Sequence, residues 1–575
     1  MTSAADTAGT ARWSVLGRGD AGSLELVDLA GDGVESGRRS WRAADAAAVV
    51  AARPDTRWVW ADSARAYRSI LRAGSRVARA WDLRLCRRIL RTAVDPAGRG
   101  PLGPADAWDH TAPSIEDEGL FVVGAQDEPS VDEAVAELRR QLRAVASAPD
   151  PGRLTLLLHG ESAGALVAEE MHLAGLPWDA QVHERILTDT LGQRSPASGV
   201  PERMADLADR VRAALGDDTV NLDSPPKLLR ALRRAGIQVA STSRWELADQ
   251  PHPAIEPLLE YKRLARLLVA NGWAWLQEWV RDGRFRPVYV PGGVVTGRWA
   301  SSGGGALQIP RLLRPAVRPD PGWVIVDADV AQLEPRVLAG MSRDLRMAEA
   351  ARGRDLYAGI VAAGAVSTRE EAKYAVLGAM YGATTGQSGR LVPRLRRAYP
   401  VAMRLVDDAA SAGEDGGTVQ TWLGRAAPQP DAEWLDLASA AGAEGADPLV
   451  RDRARRAAGD RGRFTRNFVV QGTAAEWALC WLAELRARLD ALGEVGAPRA
   501  DRSGEVFATR PHLVFFLHDE VMVHAPREMA DAVCAAVEEA AEAAGRRMFG
   551  SFPIDFPLDV RVIEPDGVTP HDPPG

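Results

Sequence analysis

Residues 512–525 read HLVFFLHDEVMVHA, and residues 324–330 read VIVDADV. In the first stretch two apolar arms flank His518-Asp519, which predicts a β-hairpin turning at that pair with Glu520 beside it. The second predicts a buried strand that ends on an acid, Asp329. An acid at the edge of a buried strand is costly unless it is hydrogen-bonded, paired or bound to metal. Two such acids from distant segments, once converged, suit a pair of Mg²⁺ ions, which take oxygen ligands. Taken alone, either acid reads first as the cap of a turn.

Working outward, Ser367 to Glu370 forms the pattern S-x-x-E, a capping box that predicts a helix start. Arg369, Lys373, Leu377 and Tyr381 then recur every four residues along one slowly drifting face. Arg369 and Lys373 repel each other slightly on a bare helix, and a polyanion such as a triphosphate reverses that sign; a solvated basic face offset by Glu370 and Glu371 is the other reading. Gly382 follows, where a helix end calls for glycine. Subtracting three lysines (Lys227, Lys262, Lys373) from 70 basic residues leaves 67 arginines. A GC-rich genome explains the bias, and it makes each lysine informative.

A third signal is dense in arginine. Residues 451–466, RDRARRAAGDRGRFTR, hold seven Arg and two Asp, and NFVVQGTAAEWALCWLAEL follows as an amphipathic helix opened by Gln471. A basic helix leading to Asn467 and Gln471 suits a phosphate backbone and base edges. A solvated Arg-rich face explains the segment about as well.

At 575 residues the chain calls for several domains. A composition of 46% hydrophobic and 26% charged residues excludes wholesale disorder, collagen and coiled coil. Cys86, Cys480 and Cys534 lie far apart, which fits a reducing compartment and argues against structural zinc. No stretch is long and apolar enough to span a membrane. The N-terminus lacks a signal-peptide pattern. The net charge of −8 is uninformative about partners, because only local charge matters at a contact.

Residues 1 to about 120 read as short strands and helices, and 93–130 as a linker rich in Pro, Gly and Asp. Helices dominate from 131 to about 280. Residues 426–450 carry five acids and no base, which predicts a solvated loop.

These segments together resemble one family. VDADVAQLEPRVLAG, REEAKYAVLGAMYG and FLHDEVMVHAP resemble motifs A, B and C of the family A DNA polymerases. TGRWASSGGGALQIP, GTVQTWLGR and RNFVVQGTAAE fall in family order around them. NLDSPPKLL and EYKRLARL resemble its thumb segments, and the likeness spans about 155–565. The chain resembles the bacterial bifunctional 3′–5′ exonuclease/DNA polymerase type, with a degenerate exonuclease-like domain. The implied fold is multi-domain α/β. An exonuclease-like α/β domain (1–130) precedes a right-hand polymerase (131–575), with thumb at about 155–285 and palm and fingers at about 286–575.

The resemblance implies a template-directed DNA polymerase adding dNTPs to a primer 3′-hydroxyl, in repair or replication. Asp329 and Asp519 are the implied metal pair, with the Val330 carbonyl and Glu520 as further candidates and two Mg²⁺ ions as cofactor (Mn²⁺ substituting). Arg369 and Lys373 are implied to hold the triphosphate and stabilise its charge. Leu377, Tyr381, Glu334, Gln332 and His518 are implied at the nucleotide, Glu334 as the residue that excludes a ribose 2′-hydroxyl. Arg298, Arg463, Asn467, Gln471 and Arg336 are implied at primer–template DNA. A monomer without membrane contact is expected, in the bacterial cytoplasm at the nucleoid.

Three departures stand out. Leu377 replaces an aromatic residue, Pro335 follows Glu334, and ALQIP lacks the family's Asn. In the N-terminal domain Asp82 matches the acid of the second exonuclease motif. Asp28 and Asp32 form no D-x-E, and no Tyr-x3-Asp follows. The expectation is a polymerase without proofreading or 5′-nuclease activity. A non-catalytic DNA-binding relative and a polymerase with an active 3′–5′ exonuclease are the alternatives.

Overall fold

The computed structural model describes residues 12–19, 23–31, 33–42, 45–93, 100–109, 129–195, 199–305, 309–353, 355–382, 386–565 and 567–570. Asp32, the start of ALQIP and most of the expected linker at 93–130 lie outside them. The chain divides into two compact units. The first is Met1–Ala174 with Val288–Ser302 and Asp320–Gly575, and the second is Gly175–Pro287 with Gly303–Pro319.

The first unit holds two five-stranded sheets. The N-terminal sheet runs in the order Glu35–Trp41, Leu24–Leu29, Trp13–Arg18, Arg57–Trp60, Arg79–Asp82. Its first three strands are antiparallel, and the last two join in parallel. Trp58, Trp60, Tyr67 and Ile70 fill the core on one side of it. This part does not separate at residue 130. Arg486 of the long helix is buried against Glu170, and Glu170 also accepts from Tyr67 at 2.6 Å and Arg76 at 2.9 Å. A buried carboxylate shared by two arginines and a phenol is strongly destabilised by loss of any partner. It therefore binds the N-terminal sheet to the rest of the unit.

The second sheet is wholly antiparallel: His512–Leu517, Glu520–Pro526, Trp323–Val330, Leu558–Glu564, Gly567–Pro570. Val324, Ile325 and Val326 are fully buried, as an apolar central strand requires. Helix Ala530–Phe549 and helix Pro448–Ala491 pack behind it. The latter is 44 residues long. Its Arg-rich start and the segment after Gln471 form one continuous helix rather than two. Trp477 and Trp481, one turn apart, are its buried anchors.

The second unit is mainly helical, with Pro151–Ala174 excluded from it. Its helices include Ala180–Leu191, Glu202–Leu215, Pro225–Arg234 and Ile255–Asn271. Tyr261 donates to Asp223 at 3.0 Å, joining the two thumb-like segments. The acidic stretch at 426–450 is not all loop: Ala432–Gly442 is a helix with no buried residue.

Candidate active site

The hairpin brings the two acids together. Its first strand carries a register shift between Leu513 and Phe515. Tyr289 fixes the next residue: its hydroxyl donates to the Phe516 carbonyl at 2.9 Å and accepts from the Phe516 N–H at 3.1 Å. The turn closes through His518, held at φ 56. The Val330 N–H donates to the Asp519 carbonyl at 2.9 Å, and Asp329 stands opposite Glu520 in register. Burial first, then the nearby Asp329 charge, pushes the Asp519 carboxyl up to about 7. Two carboxylates crowded in this way gain from a shared cation. On the other side of Asp329 lies Asp559, paired with Arg561 at 2.5 Å, a neighbour that the sequence reading missed.

Beside the acids is a cleft of about 270 Å³, lined in part by Arg298, Gln332, Glu334, Tyr381, His518 and Asp519. Glu334 accepts from the Tyr381 hydroxyl at 2.7 Å on one oxygen and pairs with Arg298 on the other. Arg298 is placed from below. Gly297 has φ +88, and a Cβ there would meet the Arg425 guanidinium. Arg425 is itself held by buried Glu161 at 2.7 Å. Glu476 braces that loop by accepting from Thr421 and from the Leu423 N–H at 2.9 Å. Burial, then the Arg298 charge, pushes His518 down to about 4, so its ring is neutral at pH 7.

Gln332 caps helix Leu333–Ser342 at φ 51, and its Oε1 accepts from the Leu356 N–H at 3.1 Å. Pro335 falls in the first turn, where a missing N–H costs nothing. Helix Arg369–Tyr381 starts one residue later than the S-x-x-E pattern suggests. Thr368 is its N-cap, accepting from the Glu371 N–H, while Glu371 reaches back to the Ser367 N–H. The helix ends at Gly382, φ +73, where a Cβ would crowd Arg463. Arg466 ties down that end, donating to the Ala379 carbonyl at 2.9 Å and to Asp407 at 2.5 Å.

Arg369, Lys373 and Leu377 do not line the cleft, although Tyr381 of the same helix does. Arg369 pairs with Asp355 at 2.6 Å and lies over the Tyr357 ring. Lys373 is exposed and Leu377 half-buried. Arg463, Asn467 and Gln471 follow one another at four-residue spacing on the long helix, whose next turn (Ala474, Ala475, Ala478) lines the cleft.

Arg336 is a correction. It is fully buried, and its guanidinium donates to the carbonyls of Ala331, Ala351, Asp555 and Gly353. The fifth donor reaches the Gln332 side-chain oxygen at 3.5 Å, which leaves none for DNA. Its work is to tie the start of helix Leu333–Ser342 to the segments at Ala351–Gly353 and at Asp555.

The N-terminal acids are also spoken for. Asp82 is buried and accepts from the Ser63 N–H at 2.7 Å and the Leu85 N–H at 3.0 Å, one on each oxygen. Asp28 takes Arg53 on both oxygens, at 2.9 and 2.7 Å, and the Ser14 hydroxyl at 2.5 Å. Among the described residues no group of three or more His, Cys, Asp or Glu is arranged to hold a metal. The candidate centre is therefore a pair, Asp329 and Asp519. One or two carboxylates completed by water and phosphate oxygens are the usual protein share of a Mg²⁺ site, so the donor set fits.

Residues 194–563 match the model of DNA polymerase family A. The chain belongs to DNA polymerase family A. It is 26% identical over 433 residues to the thermostable DNA polymerase I of Thermus aquaticus, covering 70% of this chain and 43% of that protein. It is 28% identical over 371 residues to DNA polymerase I of Chloroflexus aurantiacus, covering 57% and 36%. The chain thus spans less than half the length of these relatives. Its fold is similar to the polymerase domain of Pol1 from M. smegmatis, a complex with DNA primer-template and dNTP. That likeness has a TM-score of 0.65 at 21% identity and covers 94% of this chain and 92% of that one. The family A fold, mixed α/β over several domains, is the one the motifs implied.

Proposed function

We propose that this chain is a template-directed DNA polymerase acting at the Asp329–Asp519 pair. The observation that carries this reading is the convergence of the two acids, with a raised Asp519 carboxyl, beside the Arg298–Glu334–Tyr381 cleft. Asp329 and Asp519 would hold two Mg²⁺ ions, with the Val330 carbonyl and Glu520 adjacent. Bound Mg²⁺ supplies activation of the primer 3′-hydroxyl and charge neutralisation at the departing pyrophosphate. Arg369 and Lys373 bind the triphosphate and stabilise its growing charge. Glu334, fixed by Tyr381 and Arg298, meets the sugar and excludes a 2′-hydroxyl. Arg298, Arg463, Asn467 and Gln471 hold the primer–template duplex, and neutral His518 sits at the primer terminus.

Residues 1–130 act as a structural remnant of an exonuclease. Its support is the engagement of Asp82 and Asp28 by partners inside the fold, which leaves neither free for a metal. The chain works as a monomer in repair or replication. A 5′-labelled primer–template with Mg²⁺ tests the whole reading. Extension with dNTPs and a stable primer without them is expected. Shortening without dNTPs restores the active-exonuclease reading, and DNA binding with neither activity restores the non-catalytic one.

A further inference from the structure

Three arginines stand at one end of three neighbouring parallel strands. Arg57 and Arg79 begin the strands Arg57–Trp60 and Arg79–Asp82 and are partners in register. Arg12 immediately precedes Trp13–Arg18, which runs parallel to Arg57–Trp60. The guanidinium carbons of Arg12 and Arg57 lie 5.9 and 5.7 Å from the same Trp13 ring centroid. Arg12 and Arg79 are exposed and Arg57 is half-buried.

Among the described residues, none of the three has a carboxylate partner. Arg79 donates once, to the Asp55 carbonyl at 2.8 Å. Elsewhere in this domain several half-buried or buried arginines are matched: Arg53 with Asp28, Arg68 with Glu169, Arg76 with Glu170, Arg87 with Glu137 and Asp109. Like charges in register on adjacent strands destabilise a sheet, and a half-buried cation without a counter-ion adds to the cost. Burial, then the charges of Arg79 and Arg12, pushes Arg57 down to about 10.

His159, on helix Pro151–Ala174, is the fourth member. Its ring stands edge-on to Trp81 at 5.5 Å, and Trp81 stands edge-on to Trp13 at 5.4 Å. Its Nε2 is buried without a hydrogen-bond partner. Burial, then the fields of Arg57, Arg12 and Arg79, pushes it down to about 3, so it stays neutral.

We propose that Arg12, Arg57 and Arg79 form a binding site for a phosphate group, at the end of the N-terminal sheet opposite Asp82. Guanidinium groups suit phosphate because their forked donors match its oxygens. Trp13 is only 4% exposed, so it offers no face for base stacking, and the site recognises phosphate rather than base. The phosphate comes either from a nucleic-acid backbone or from a free species such as pyrophosphate. The inference does not depend on the polymerase reading, because its test reads binding directly.

The test is calorimetric titration of the full chain with inorganic pyrophosphate and, separately, with a short single-stranded oligodeoxynucleotide. Both titrations use an Arg298→Ala/Arg369→Ala/Lys373→Ala/Arg463→Ala background, which removes the cations proposed for the triphosphate and for the primer–template strands. Adding Arg57→Gln and Arg79→Gln should weaken binding about tenfold or more, with an unchanged circular dichroism spectrum. Loss for pyrophosphate and oligonucleotide alike assigns a free phosphate species as sufficient. Loss for the oligonucleotide alone assigns the backbone. Equal binding of both probes before and after the substitutions overturns the proposal. Should the double substitution fail to fold, Arg12→Gln replaces an exposed side chain and should weaken the same probe about threefold; no change overturns the proposal equally.

Discussion

Asp355 grips Arg369 by its Nε, at 2.6 Å, and leaves the two terminal nitrogens of the guanidinium without a hydrogen-bond partner among the described residues. The other Asp355 oxygen caps the helix Leu356–Ala362, accepting from the Tyr357 and Ala358 N–H groups. Burial alone would raise the Asp355 carboxyl, but the Arg369 bond and charge together with the Ala358 and Tyr357 N–H groups outweigh it and hold it low. The planar Arg369 side chain is thereby turned with its fork outward. That edge can take two oxygens of a phosphate at once.

Asp355→Asn tests this positioning. Asparagine still caps a helix but has one oxygen for two tasks. Arg369 is 59% exposed, so the pair is worth at most about 1 kcal/mol. The KM for dNTP should rise about 2- to 5-fold, with kcat changed less. An unchanged KM at equal thermal stability would leave Asp355 a cap and nothing more.

Asp519 should behave as a group kept for chemistry at a cost to the fold. Its raised carboxyl reports burial and crowding by Asp329. Asp519→Asn removes that repulsion, so the melting temperature at pH 8 should rise while primer extension falls by about a thousandfold or more. Asp329→Ala should abolish extension equally. A variant that loses both stability and extension would mark Asp519 as structural.

Two other buried acids predict a pH dependence of stability. Burial, then the Asp62 charge, raises Asp82 to about 7, and burial raises Glu476 to about 7. In the unfolded chain both lose their protons near pH 4. Between pH 4 and 7 the folded state therefore binds more protons, and stability falls as pH rises through that window. Melting temperatures should decline from pH 5 to 8, and Asp82→Asn should flatten the slope. An identical slope in that variant would mean that Asp82 ionises normally.

The sequence was most legible where a local pattern and a chemical need coincide. Apolar strands ending on Asp329 and at the His518-Asp519 turn announced both the sheet and its acids. Gly382 announced a left-handed helix end. The sequence was least legible where a side chain's partner comes from elsewhere in the chain. Arg336 sits two residues from Glu334, yet it turns inward to four backbone carbonyls, and nothing in EPRVLAG distinguishes it from a surface arginine. Asp355 reads only as a helix cap, because its second oxygen meets a residue on the following helix. Asp559 became visible only once strand register placed it beside Asp329.

Leu377 offers the last test. It lies one turn from Lys373 and one turn from Tyr381, half-buried, where the family resemblance places an aromatic ring. A leucine presents no flat face to the sugar and base of an incoming nucleotide. Leu377→Phe restores that face, and aromatic contacts are worth about 0.5–1.5 kcal/mol beyond their area. The ratio of dideoxynucleotide to deoxynucleotide incorporation should therefore shift about 2- to 10-fold, with extension on natural dNTPs retained. Single-nucleotide incorporation measured with each substrate on one primer–template reads the ratio directly. If it does not move, Leu377 packs within helix Arg369–Tyr381 and takes no part in choosing the sugar.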